Sequence, residues 1–157
     1  MATELLQREF ETSEGKLVLV GVRQLAASKA LDLHVELISK VGTSIFPFVE
    51  NKYNFGDIIY LMQQGKNAEY LELFKRVVCM ATIDGQEVTA KTINVHYTDL
   101  MLMHKVFGFV LEANFLDFFK EGLEINEQRR LEAEEASKLA EQKNLSPDST
   151  LQQSSQT

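Results

Sequence analysis

The chain has 157 residues, 45% hydrophobic and 25% charged, which suits one soluble globular domain with a core of its own. Its net charge of −7 and pI near 5.0 argue against a nucleic-acid surface, because neutralising phosphates takes clustered Lys and Arg. A single cysteine, Cys79, excludes an intramolecular disulfide and a C-x-x-C metal site.

Residues 1–15 are polar and acidic, without the basic-then-apolar pattern of a leader peptide. They predict a frayed N-terminus with a short helix at 4–10. KLVLVGV at 16–22 reads as a strand. Residues 26–41 space Ala27, Ala30, Leu31, Val35, Ile38 and Val41 as one helical stripe, and Gly42 is placed to cap it. A short helix at 44–50 accommodates Pro47 in its first turn, and 54–56 reads as a turn. Asp57 is the expected N-cap of a helix ending at Gly65. Asn67 caps another helix through Met80, with Leu71, Phe74, Val77, Val78 and Ala81 on its buried face. Asp84-Gly85, between two short β-rich runs, signals a small hairpin. Residues 93–97 alternate as a short strand, after which Asp99 or Thr98 caps a long apolar helix ending near Gly122.

Beyond Gly122 the composition shifts to Glu, Gln, Ala, Lys and Arg. This predicts a solvated charged helix over 123–143, laced by Arg130–Glu134 and Glu134–Lys138 pairs. NLSPDSTLQQSSQT at 144–157 has the composition of a disordered tail. The expected fold is therefore mainly α. It comprises a frayed segment at 1–15, a helical domain at 16–122 with a short N-terminal strand and a small strand–turn element, then the exposed helix and the tail.

The long helix is the feature that points to function. Residues 100–119, LMLMHKVFGFVLEANFLDFF, carry half of the chain's ten Phe. The longest charge-free run is only 106–111, far below the roughly 20 apolar residues of a membrane span. Leu100, Met103, Phe107, Val110 or Leu111, Asn114 and Phe118 form one stripe, and Leu102, Val106, Phe109, Ala113 and Leu116 form a second. A helix apolar on more than one face must be covered. The cover is either its own domain or a partner chain, and Phe107, Leu111, Phe115, Phe118 and Phe119 are the candidate partner-binding residues.

No chemistry competes with that reading. His34, His96 and His104 lie at no metal-ligand spacing. His34 reads as a partly buried side chain, and His104 with Lys105 as the polar edge of the long helix. Cys79 has no local base and reads as a packed thiol. Asp84 has a turn role, while Glu87, Glu112 and Asp117 read as surface charge. The glycines form no phosphate loop. The expectation is a binding protein rather than an enzyme, with no metal, cofactor, nucleic acid or membrane involved.

Three motifs occur in a distinctive order. These are LDLHVELISKVG at 31–42, LFKRVVCMATIDGQEV at 73–88, and L-E-x-N-F-x-x-F-F on Leu111, Glu112, Asn114, Phe115, Phe118 and Phe119. Over 16–122 the chain resembles the tail assembly chaperones of long-tailed bacteriophages. The resemblance implies a small, mostly helical protein of the host cytoplasm. It would hold the tape measure protein soluble, help tail tube protein polymerise around it, and be absent from the finished virion. It leaves a homo-oligomer open. Two other readings also stand at this point: a structural tail completion or connector protein, and an acidic secretion-type chaperone with another client.

Overall fold

A computed structural model describes residues 4–155, with side chains described for 4–122 and 124–142. The chain forms two compact units, divided between Asp117 and Phe118. The first is mainly helical around a four-stranded antiparallel sheet of order β1-β2-β3-β4.

The sheet begins where a frayed helix was expected. Residues Leu5–Glu11 form strand β1, paired along its length with β2 (Leu17–Arg23), with Arg8 opposite Val20. Period-two alternation explains it: Leu6, Arg8 and Phe10 turn inward while Leu5, Gln7, Glu9 and Glu11 face solvent. The reversal is closed by Thr12 N–H donating to the Lys16 carbonyl at 2.8 Å, with Gly15 at φ +84°. On β2, Val18, Val20 and Val22 are buried.

Helix α1 spans Ala27–Val41 and buries Leu33, Leu37 and Val41. The expected stripe is therefore displaced, since Leu31 and Val35 are exposed. Spacing alone does not choose between the two apolar sides of this helix. Gly42 caps it as expected, at φ +58° with its N–H on the Ile38 carbonyl. A 3-10 turn at Gly42–Ile45 leads into α2, Phe46–Val49, with Pro47 in its first turn. Helix α3, Phe55–Gln64, is capped by Asn54 rather than Asp57. Asn54 and Asp57 form a reciprocal capping box, with bonds of 3.0 and 2.9 Å between each side chain and the other's N–H. Helix α4, Ala68–Val78, starts on the Asn67 cap (2.7 Å from Tyr70 N). It buries Tyr70, Leu73, Phe74, Val77 and Val78 and leaves Leu71 exposed.

Strands β3 (Ala81–Ile83) and β4 (Gln86–Glu87) form the expected hairpin. Asp84 and Gly85 both take positive φ, 51° and 81°, as a type I′ turn requires. The Asp84 carboxylate also accepts Leu19 N–H at 2.9 Å, fastening the turn to β2. The expected strand at 93–97 is instead a single helical turn, α5 (Ile93–His96). Its buried Ile93 and the buried Tyr97 that caps it lie four apart, and Tyr97 Oη donates to the Val78 carbonyl at 2.8 Å.

Helix α6 runs from Leu100 to Ser155. Asp99 starts it, accepting Met101 N–H on one carboxylate oxygen at 2.9 Å and Ser13 N–H on the other at 2.7 Å. Those N–H bonds, Ser13's above all, hold the carboxyl below its ordinary pKa. The backbone does not break at Gly122, and residues 144–155 are helical where a disordered tail was expected. Extending an existing helix adds one bond per residue and needs no new nucleus, so a weak former can continue what a strong one began. Residues 156–157 of the expected tail lie outside the described residues.

Candidate partner-binding surface

Within the first unit α6 is enclosed on several sides: Leu102, His104, Val106, Phe107, Phe109, Val110, Leu111, Ala113 and Phe115 are all buried. Phe107 stacks on Phe74 at 4.7 Å between ring centroids and meets Phe48 edge-on at 5.9 Å. Gly108 allows the close approach, because a Cβ there would lie 3.3 Å from Tyr53 and 3.4 Å from Phe48. Leu111 is fully buried, and Phe115 packs edge-on against the His34 ring at 5.6 Å. Phe107, Leu111 and Phe115 are thus core side chains of the closed unit, out of reach of a partner.

Phe118 and Phe119 differ from these three. Phe118 is 72% exposed, and Phe119 is half-buried with its ring edge-on to Phe118 at 5.6 Å. They open the second unit, a helix with exposed Ile125, Leu131 and Leu139 among charged side chains. Arg130 there bridges Glu127 and Glu134, so Glu134 meets Arg130, as the sequence predicts.

The polar residues of the L-E-x-N-F motif have structural work. Glu112, expected as surface charge, receives Arg8 at 2.5 Å with only 11% of its side chain exposed, and Arg8 lies 4.6 Å over the Phe109 ring. Asn114 accepts Leu25 N–H at 2.7 Å and donates to the Val110 carbonyl at 2.9 Å. Together they fasten β1 and the segment that follows β2 to α6.

Sequence patterning missed other exposed apolar groups. On α3, Phe55, Ile59 and Met62 are exposed at one-turn spacing, and on the outer face of the sheet Leu5, Leu17 and Leu19 are exposed. Helical periodicity was the available signal for the α3 stripe. The sheet residues alternate with the buried valines and were readable once residues 4–11 are taken as a strand.

His104 is buried rather than at a polar edge. Its Nδ1 sits 2.9 Å from the Leu100 carbonyl and its ring 4.9 Å from Phe74. Burial pushes its pKa below the ordinary 6.5, partly opposed by the Leu100 bond. The unfolded chain then binds a proton more readily than the folded one. The contribution of neutral His104 is complete above about pH 6.5 and is lost as pH falls through the lower folded value. Melting temperature measured from pH 7 down to pH 5.5 should therefore fall more steeply for the native chain than for His104→Gln.

Cys79 is half-buried, and burial raises its thiol pKa, which disfavours a nucleophilic thiolate. Among the described residues no group of three or more His, Cys, Asp or Glu is placed to hold a metal ion, and no helix is long and apolar enough to cross a membrane. No curated protein and no solved structure matches the chain. A family model described as "Phage tail assembly chaperone protein, TAC" matches residues 19–126.

Proposed function

The chain belongs to the phage tail assembly chaperone family, whose model matches more than half its length, and we propose that it binds the tape measure protein in the host cytoplasm. In this reading it keeps that client soluble until tail tube protein polymerises around it, then leaves, so the finished virion lacks it. The activity is reversible binding and needs neither catalysis nor a cofactor.

The observation that supports this most directly is the exposed Phe118 beside Phe119 at the start of the second unit. The pair is open to a partner, and aromatic residues carry much of the binding energy where a partner covers them. The net charge of −7 suits a carrier that must keep an apolar client dispersed. Co-expression of the full chain with the tape measure protein of the same phage tests the proposal. The expected result is a soluble complex where the client alone sediments. Equal solubility of the client without the chain would overturn the reading. Mass spectrometry of purified virions separates it from a structural tail component, which would be retained in the particle.

A further inference from the structure

β1 is an edge strand: it pairs only with β2 among the described residues. Two bonds flank the ladder, Gln24 N–H to the Glu4 carbonyl at 3.5 Å and Thr12 N–H to the Lys16 carbonyl at 2.8 Å. Both fall on even-numbered residues of this arm. Antiparallel alternation therefore gives the even residues to β2 and turns the N–H and C=O groups of Leu5, Gln7, Glu9 and Glu11 outward. The Glu11 carbonyl is taken by Lys105 Nζ at 3.3 Å. For Leu5, Gln7 and Glu9 the outward backbone groups have no partner among the described residues.

Edges of this kind are commonly guarded by an inward-pointing charge. Arg8 points inward, but Glu112 neutralises it and the Phe109 ring supports it, so it presents no unpaired charge to an incoming strand. Beside the edge lies a cleft of about 310 Å³, lined in part by Gln7, Phe109, Glu112, Leu116 and Asp117. Glu9 and Glu11 are exposed on β1 itself, and the exposed Asp117 lines the cleft.

We propose that the outer edge of β1 accepts a basic, extended segment of a partner protein as a fifth strand of the sheet. Backbone bonds to Leu5, Gln7 and Glu9 would supply affinity. Lys or Arg at alternate positions would meet Glu9 and Glu11, and intervening side chains would enter the cleft. This goes beyond the Phe118 reading and is independent of it: failure here leaves the co-expression result untouched.

The test uses the full chain and a labelled heptapeptide alternating Lys and Val, with an alternating Glu and Val peptide as control. The basic peptide should bind at least about tenfold more tightly than the acidic one, and binding should slow amide exchange at Leu5, Gln7 and Glu9. Gln7→Pro removes an outward N–H while leaving the bonds to β2, as proline on an edge strand permits. It should weaken binding by about tenfold or more. Glu9→Lys with Glu11→Lys should act in the same direction without altering the backbone, and it decides the matter if the proline variant does not fold. Equal binding of both peptides, unprotected edge amides, or full binding by the charge variant would overturn the proposal. So would self-association abolished by Gln7→Pro, which would assign the edge to a second copy.

Discussion

Phe107→Ala should destabilise the first unit by about 3–5 kcal/mol, the range for truncating a fully buried aromatic ring. The side chain has no exposed surface and joins two layers, stacked on Phe74 of α4 and edge-on to Phe48 of α2. Removing it takes away the transfer energy of the ring and leaves a cavity that Gly108, lacking a side chain, cannot fill. Urea unfolding followed by circular dichroism would measure the loss. A stability change within the ordinary range of about ±0.5 kcal/mol for a surface substitution would mean that the ring is not in the core. Native Phe107 should also survive any partner-binding test as a bystander, since nothing reaches it while the unit is closed.

Phe118→Asp should leave stability almost unchanged and weaken tape-measure binding by about 2 kcal/mol or more, roughly thirtyfold, as loss of an interface anchor does. The contrast with Phe115→Asp makes the result interpretable. Phe115 is only 5% exposed and packs on the His34 ring, so a carboxylate there would be desolvated in the core and the unit should be strongly destabilised. Two phenylalanines three residues apart thus predict opposite phenotypes, one of stability and one of binding. Pull-down of the client by each purified variant, alongside its thermal melt, checks both. Full binding by folded Phe118→Asp would remove that residue from the client surface.

Local chemistry was readable where it is self-sufficient. The Asn67 cap, the Asp84-Gly85 turn, the Gly42 cap and the Asp99 start of α6 each need only a few neighbouring residues, and each is present. Residues 4–10 read as a helix because Glu, Gln, Leu and Arg are good helix formers. Their strand state depends on the hairpin turn and on Glu112, 104 residues away from Arg8. Residues 93–97 carry β-rich side chains, yet burying positions 93 and 97 together requires a helical turn.

Which residues of the apolar segment are buried was not legible in the sequence, for a related reason. Periodicity sorts residues onto faces of a helix, but α6 is covered on several faces, so the stripe containing Phe107, Leu111 and Phe118 crosses from core to solvent along its length. What ends the burial is where the surrounding elements stop. That is a property of the whole fold, invisible in the 20 residues of the apolar segment.

The tie between Arg8 and Glu112 also has a consequence in time. A ribosome adding about 5–20 residues per second needs roughly 5–20 s to travel between those two codons. During that interval residues 5–23 have no helix to cover Leu6, Phe10 and the valines of β2. Everything needed to end this exposure has been translated once Asn114 and Phe115 are made. Messages truncated before that point should yield aggregating products, whereas truncation after Asp117 should yield a closed unit.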